Sequence, residues 1–310
     1  MRSASQTPPS HPRLAALVQR AAEQVRARGT AAPRLGIVWP CDALACDAAG
    51  AIAAAGIATP VLVGPRARID AAWLGSGFEI VETADEPAAA ARAAVALARG
   101  GELAVLMKGS LHTDELLSAV VAREAGLRTE RRISHAMWFD LPSYAKPLVL
   151  ADVVVNIAPN VETKAHILAN ALDLLRALGT ARPKAAIVAA VEVVNPAIPA
   201  TLDAQTLVAR AQTGEFGDAI VEGPFGFDNA FSAEAARIKG IDSAVAGDAD
   251  LMLVPDLNAG NMLYKSFVYA AGADCAGIVL GARVPIVLTS RADSAQARLA
   301  SAALAVLAAG

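Results

Sequence analysis

The sequence has few aromatic residues and few cysteines. Aromatic side chains make up 4% of its 310 residues, so aliphatic side chains have to supply most of the 55% that is hydrophobic. A composition this apolar excludes a disordered chain. Three cysteines, Cys41, Cys46 and Cys275, are too few for a disulfide framework. Because residues 1–12 also lack the apolar segment of a secretory signal, the sequence predicts a protein of the reducing cytoplasm.

Long apolar runs and an excess of one charge are missing as well. No stretch of about 18 uninterrupted apolar residues occurs, so we expect no membrane span and no membrane partner. The 27 basic and 30 acidic residues give a formal net charge of -3. A surface that binds nucleic acid usually needs a basic excess. The sequence therefore predicts no nucleic-acid partner.

Several motifs of metal and cofactor sites are absent. The four histidines, His11, His112, His135 and His166, are scattered, and neither HExxH nor CxxC spacing occurs, so no metal site is predicted. No GxGxxG follows the first apolar run, which disfavours a dinucleotide site. No GxSxG elbow occurs, which disfavours a serine hydrolase of that type.

What the sequence contains is an alternation of short β-branched runs with alanine-rich segments of helical period. Strands are predicted at 34–40, 59–65, 102–109, 151–159, 183–191, 250–256, 275–282 and 285–290. Helices are predicted at 43–55, 85–99, 113–125, 161–178, 203–212, 231–239, 259–271 and 293–309. This alternation predicts an α/β fold with a mostly parallel sheet covered by helices on both faces. The charged segment 126–132 predicts a domain break.

Polar residues that follow a predicted strand carry most of the functional information, because ligands of such folds bind beyond the carboxyl ends of strands, next to helix N-termini. The first such junction holds Lys108, Gly109, His112 and Thr113. Gly109 permits a tight turn, Thr113 is a candidate helix cap and Lys108 adds a positive charge, so the loop suits an anion. An ordinary capped helix with an exposed lysine explains the same residues.

Two further junctions hold amides, a lysine and a carboxylate. Asn258, Asn261 and Lys265 follow one strand, and the last two lie four residues apart on one helix face. Their chemistry suits a phosphate or an amide-bearing ligand, and the alternative is asparagine capping beside a solvated lysine. Asp228 follows another strand, where it either orients a substrate or closes an Asx turn.

The last junction contains Ser290, Arg291 and Asp293. Arg291 can bind an oxyanion in a bidentate manner, and Ser290 can donate a hydrogen bond. Asp293 can act as a base or cap the final helix.

Taken in order, these segments resemble the phosphate acyltransferase family, which comprises phosphate acetyltransferases and phosphate butyryltransferases. The resemblance covers roughly residues 100–310. It rests on MKGSLHTDELL, the segment 131–159, EGPFGFDNAFS, KGIDSAVAGDADLMLVPDLNAGNMLYK and TSRADS. The forms KGxxHTD and TSRADS resemble the butyryl branch more closely, whereas DLNAGNxxYK is shared with the acetyl branch.

The resemblance implies two three-layer α/β/α domains with a cleft between them, like the isocitrate and isopropylmalate dehydrogenase fold. Residues 1–129 with 278–310 would form the first domain and residues 130–277 an inserted second one. The implied reaction is the reversible transfer of a short acyl group, acetyl or butyryl: acyl-CoA plus phosphate gives acyl phosphate plus CoA. The family implies no metal and no cofactor, since CoA is a substrate, and it implies a homodimer.

The resemblance also implies residue roles. Ser290 and Arg291 match a serine–arginine pair of the acetyl branch, so Arg291 would hold phosphate or balance the developing charge and Ser290 would hydrogen-bond the oxyanion. Lys108, Gly109 and Thr113 would contribute to the anion site. Asn258, Asn261 and Lys265 would line the cleft.

Two positions depart from the acetyl branch. Ala297 stands where that branch has an aspartate thought to act as the thiol base, which leaves Asp293 as the nearest replacement. Ser118 stands where it has an arginine, which leaves Lys108, Arg131 or Arg132 to bind phosphate.

Two other functions compete with the active transferase. One is a catalytically silent module that senses acyl-CoA. The other is a metal- and nicotinamide-dependent dehydrogenase of the same fold, which would need clustered aspartates. Asp248 and Asp250 form the only tight pair late in the chain, and they precede a strand instead of following one.

Overall fold

The computed structural model describes residues 12–73, 77–288, 290 and 293–310. Within these ranges eleven strands form one sheet. The strands are β1 Arg34–Val38, β2 Thr59–Gly64, β3 Glu79–Glu82, β4 Val105–Lys108, β5 Ser134–Asp140, β6 Leu148–Ala151, β7 Lys184–Val188, β8 Ile220–Phe225, β9 Leu251–Leu253, β10 Asp274–Leu280 and β11 Ile286–Val287.

Helices connect most of the strands. They are α1 Pro12–Ala27, α2 Ala43–Ala54, α3 Arg66–Ala72, α4 Pro87–Arg99, α5 Thr113–Val120, α6 Val161–Ala177, α7 Pro199–Gln212, α8 Phe227–Phe231, α9 Ala233–Ile238, α10 Leu257–Tyr269 and α11 Ala295–Ala308. The sheet has buried residues on both faces, and helices pack against each face. The α/β class predicted from the alternating runs is confirmed.

The strand order is β3-β2-β1-β4-β11-β10-β5-β6-β9-β7-β8. Seven of the ten neighbouring pairs are parallel, so the mostly parallel prediction holds. The three antiparallel pairs are consecutive and involve β11, β10, β5 and β6. As a result, β9, β7 and β8 run opposite to β4 and β11. Their carboxyl ends therefore lie on the side of the sheet where β4 and β11 have their amino ends.

The two halves of the sheet meet at a short strand. β11 contributes only Ile286 and Val287 to the ladders, pairing with β4 on one side and with β10 on the other. The strands from β3 to β11 belong to the predicted first segment, and those from β5 to β8 belong to 130–277, with β10 crossing the predicted boundary. The division into two domains remains a prediction.

Several elements differ from the sequence-based expectation. The strand predicted at 151–159 is wrong, because β6 ends at Ala151 and the next residues turn. The buried Asp152 carboxylate accepts hydrogen bonds from the backbone N–H groups of Val154 and Val155, both at 2.9 Å, so these groups bond a side chain in place of a neighbouring strand. Helix α1, whose first residue is Pro12, was not predicted.

Candidate active site

A cavity lies where helices leave one face of the sheet uncovered. One hydrophobic cluster runs along the whole of the opposite face. The face with the cavity carries two separate clusters, one against α4 and α5 and one against α8 and α10. Between them, β5 and β10 line a cavity of about 690 Å³ through His135, Met137, Cys275 and Gly277.

The loop after β4 forms one wall of this cavity. Its lining includes Lys108, Gly109, His112 and Thr113. A side chain at position 109 would place its Cβ 2.5 Å from the carbonyl oxygens of Val38 and Trp39, so only glycine fits this close approach. The Lys108 ammonium donates to the carbonyls of Gly109 at 3.1 Å and Leu111 at 3.0 Å, which folds the loop around it.

Helix α5 begins at Thr113 with His112 as its N-cap residue. The backbone N–H of His112 donates to the Glu115 carboxylate at 2.8 Å. Thr113 is therefore the first helical residue and not the cap that the sequence suggested. Because His112 and Thr113 line the cavity, the start of α5 lies beside it, a position favourable to an anion.

The start of α11 forms a second wall, with Ser290, Asp293, Ser294, Ala297 and Arg298 among the lining residues. The Asp293 carboxylate accepts from the Ser290 N–H at 2.7 Å. Ser294 is the N-cap, accepting from the Ala297 N–H at 3.0 Å. Asp293 therefore shapes the loop and does not cap the helix.

Arg298 of α11 binds the loop that contains Ser290 and Asp293. Its side chain is 7% exposed, and its guanidinium donates to the carbonyl oxygens of Ser290 at 2.5 Å and Asp293 at 3.4 Å. Arg291 lies outside the described residues. The described residues nearest to it in the chain, Ser290 and Asp293, line the cavity, and both contact Arg298.

Helix α10 supplies a third wall through its carboxyl-terminal half, where Tyr264, Lys265, Val268 and Tyr269 line the cavity. Asn258 and Asn261 are not among the lining residues. Asn258 is exposed, and the Asn261 amide donates to the Val153 carbonyl at 3.3 Å. The Asn261 amide is thus engaged beside the segment that follows β6, and Asp256 caps the N-terminus of α10.

Asp228 also lies away from the cavity, beyond an edge strand of the sheet. It follows β8, which runs parallel to β7 and thus in the direction of β9. Its carboxylate pairs with Lys239 at 3.1 Å, and the hydrogen bond from Lys239 lowers the pKa of Asp228 below its usual value. Neither Asp228 nor Lys239 lines the cavity.

The candidate phosphate ligands are separated in the structure. Arg131 pairs with Asp173 at 2.5 Å and lines a different depression. Ser118 is exposed on α5. Among the described residues, the cations that line the cavity are Lys108, Lys265 and Arg298.

Sequence reasoning missed several lining residues, including His135, Tyr264, Asp274, Arg298 and Ser301. His135 was counted only as one of four scattered histidines, because the strand that carries it was not predicted. All seven residues of β5 are buried. A histidine within a mostly apolar run was the sequence signal that could have identified this strand and its site residue.

Burial controls the proton states in this cavity. It raises the pKa of Asp293 above its usual value, against the opposing effects of the Ser290 N–H and Arg298. Burial also raises the pKa of Cys275 to about 12, so this thiol stays protonated at neutral pH. In the described part of the chain, no group of three or more His, Cys, Asp or Glu side chains is arranged to hold a metal ion.

Comparison with known proteins gives the family. The model of the family described as phosphate acetyl/butaryl transferase matches residues 76–306. This chain belongs to that family. It is 49% identical over 282 residues to a phosphate acetyltransferase of Rhizobium meliloti, covering 89% of each chain. It is 39% identical over 259 residues to a phosphate butyryltransferase of Clostridium acetobutylicum, covering 82% of this chain and 86% of the relative.

A solved structure agrees with the sequence relatives. The branched-chain phosphotransacylase from Enterococcus faecalis superposes with a TM-score of 0.78 at 28% identity, covering 89% of this chain and 99% of that chain. The chain is therefore a phosphate acyltransferase that moves an acyl group between CoA and phosphate. The family uses no cofactor, and acyl-CoA and phosphate are substrates. No helix in the described ranges is long and apolar enough to cross a membrane.

Proposed function

We propose that acyl transfer takes place in the cavity between the Lys108 loop, the carboxyl-terminal half of α10 and the start of α11. The observation that supports this most is the convergence of the Ser290–Asp293 loop and the Lys108–Thr113 loop on one cavity. These two loops carry an anion-favouring helix start, a hydroxyl and a raised-pKa carboxyl in one place.

The proposed chemistry assigns a role to each loop. A phosphate oxygen attacks the thioester carbonyl, the carbon–sulfur bond breaks, and the phosphate proton passes to the departing sulfur. Arg291 and Lys108 balance the phosphate charge, and Ser290 donates to the carbonyl oxygen. Asp293 carries the proton, since its raised pKa makes it a better acceptor than an ordinary aspartate. Gly109, His112, Thr113 and Lys265 shape the site.

Asn258, Asn261 and Asp228 are proposed as contacts of the outer parts of CoA or of a second subunit. All three lie outside the lining of the cavity. We further propose a homodimer, a reducing cytoplasmic location supported by three free cysteines, and the two-domain division at 129/130 and 277/278.

The first experiment measures phosphate-dependent release of CoA thiol with acetyl-, propionyl-, butyryl- and a branched acyl-CoA. Release that requires phosphate is expected, and its ranking gives the acyl preference. Binding of CoA without any phosphate-dependent release would contradict an active site here and favour the acyl-CoA-sensing module.

Replacing the arginine tests the proposed site directly. Arg291→Ala should lower kcat/KM by at least about 30-fold, equivalent to about 2 kcal/mol of transition-state stabilisation, because a charge opposite the developing anion is lost. Arg283→Ala, at an exposed arginine on the loop before β11, is the matched control. Equal kinetics of the two variants would remove Arg291 from the mechanism.

A further inference from the structure

His135 is a polar side chain that lines the cavity and has no role in the chemistry described above. It is 1% exposed, and its Nδ1 is buried without a hydrogen-bond partner in the described structure. It pairs in register with Val279 of β10, which pairs in turn with Ile286 of β11. His135 therefore lies near the start of β5, level with the first residue of β11.

The ring reaches the cavity by leaning over a glycine. A Cβ on Gly277 would lie 2.7 Å from His135 Cε1 and 3.0 Å from Nε2, so the absence of a side chain there makes room for the imidazole. The neighbouring Ser301 hydroxyl is already engaged, since it accepts from the Gly277 N–H at 3.0 Å and donates to the Ala297 carbonyl at 2.8 Å. On this wall, the imidazole of His135 keeps a nitrogen without a hydrogen-bond partner in the described structure.

The proton state of His135 decides what it can do. Burial lowers its pKa to about 4, with the charge of Asp152 opposing that effect. At neutral pH the ring is uncharged and carries one N–H. Since a buried N–H without a partner is rarer than an unpaired buried acceptor, the proton belongs on Nε2 and Nδ1 is the enclosed acceptor. A neutral imidazole of this kind is a weak base and a suitable hydrogen-bond donor.

We propose that His135 is a further catalytic residue whose Nε2–H donates to the carbonyl oxygen of the thioester as negative charge develops on it. This rests on the transfer reaction proposed for the cavity. As the phosphate oxygen bonds to the carbonyl carbon, the π electrons of the carbonyl group move to its oxygen. When these electrons return, the carbon–sulfur bond breaks, and the sulfur leaves with the electron pair of that bond and takes up the phosphate proton. His135 keeps its proton throughout.

The test compares two substitutions. His135→Gln retains an N–H donor near the position of Nε2, whereas His135→Leu removes it. Removing one donor to a developing oxyanion costs on the order of 10²-fold in kcat, so His135→Leu should lose about 100-fold while His135→Gln stays within about 10-fold of the wild type. The KM values for acyl-CoA and phosphate should change little, because the bond forms mainly in the transition state.

A pH profile separates a donor from a base. Asp152, which follows β6, is the charged group that acts on the pKa of the ring. The charged residues that line the same cavity are Asp42, Lys108, Lys265, Asp274, Asp293 and Arg298. Because His135 stays neutral, the profile of His135→Gln should keep the wild-type shape between about pH 5 and 8. Loss of an acid limb in that range would overturn the donor role in favour of a base.

Other outcomes are equally decisive. Wild-type kcat in folded His135→Leu, equal losses in both variants, or a KM change that grows with acyl length would overturn the proposal. If His135→Leu does not fold, Gly277→Ala displaces the ring without removing it and should lower kcat in the same way; unchanged kcat there would also overturn it. Absence of phosphate-dependent release in the wild type would instead refute the transferase function of the cavity.

Discussion

At the residue scale, Asp293 illustrates how the environment of a side chain changes its chemistry. A solvated aspartate before a helix would be an ordinary cap. Here Ser294 caps α11, and Asp293 is drawn into the cavity, where burial raises its pKa while Ser290 N–H donates to its carboxylate. The residue is therefore available for proton transfer because the cap is supplied by its neighbour.

The raised pKa of Asp293 predicts a pH-dependent stability. Below its usual pKa of 3.8 the group is protonated in both folded and unfolded states, and as the pH rises through the folded value the buried charge destabilises the folded state. Asp293→Asn should therefore be more stable than the wild type at pH 7, and the difference should shrink as the pH falls towards 3.8. Urea unfolding at several pH values measures this.

The control is Asp218→Asn, which removes the same charge from an exposed loop. If Asp293→Asn shows no gain in the free energy of unfolding at pH 7 over that control, the prediction is wrong. The hydrogen bond and the nearby charges of Asp293 would then stabilise its carboxylate more than burial destabilises it.

At the scale of elements, α11 contributes residues both to the cavity and to the hydrophobic core. Its buried face packs in the large cluster that runs along the sheet. Its first turns carry Ser294, Ala297 and Arg298 at the cavity. Arg298 connects the two environments, since it lies on the helix and binds the carbonyl oxygens of the loop before it.

Arg298 is therefore expected to be a positioning residue. Arg298→Met fills a similar volume but leaves the two carbonyls without their donor, which should cost about 1–3 kcal/mol in stability. It should also lower kcat about 10-fold or more, because small misplacements of reacting groups are costly. Arg298→Lys keeps the charge without the forked donors and should be intermediate.

Thiol-release kinetics and urea unfolding of the three proteins check this. Wild-type kcat in Arg298→Met, with a loss of stability only, would show that the loop keeps its geometry without the guanidinium.

At the scale of the whole molecule, the two chain segments share one hydrophobic core. The cluster on the closed face includes Leu35 and Ile37 of β1 together with Leu251 and Leu253 of β9. Helix α11 packs against β10 and α1. On the other face, where the cavity lies, the hydrophobic residues form two separate clusters. The cleft therefore forms on one face of the sheet, while the core on the opposite face is common to both segments.

This shared core predicts one cooperative unfolding transition. Trp39 and Trp73 lie in the first segment and Trp138 lies in the second. Trp138→Phe leaves fluorescence that reports only on the first segment, whereas circular dichroism reports on all helices. The two signals should give the same midpoint in urea. Separate midpoints would show that the segments unfold independently and would contradict a common core.

The sequence predicted much of the fold and part of the site. Periodicity identified β1, β2, β4, β7, β9 and β10 because each is a short apolar run between breakers, and the loops at Lys108 and Ser290 were found because each follows such a run. The strand predicted at 151–159 was wrong. The apolar residues there have the pattern of a strand, but the Asp152 carboxylate accepts hydrogen bonds from the N–H groups of Val154 and Val155.

Composition and local pattern by themselves determined the α/β class, the covered sheet and the two loops that meet at the cavity, because those depend on hydrophobic spacing and on glycine and capping residues. Only the tertiary structure decided strand direction. Three consecutive antiparallel pairs reverse β9, β7 and β8. Asn258, Asn261 and Asp228, which follow β9 and β8, do not line the cavity, whereas Lys265 does. Pairing partners distant in the chain set that reversal, and the same pairing buries His135 beneath the site.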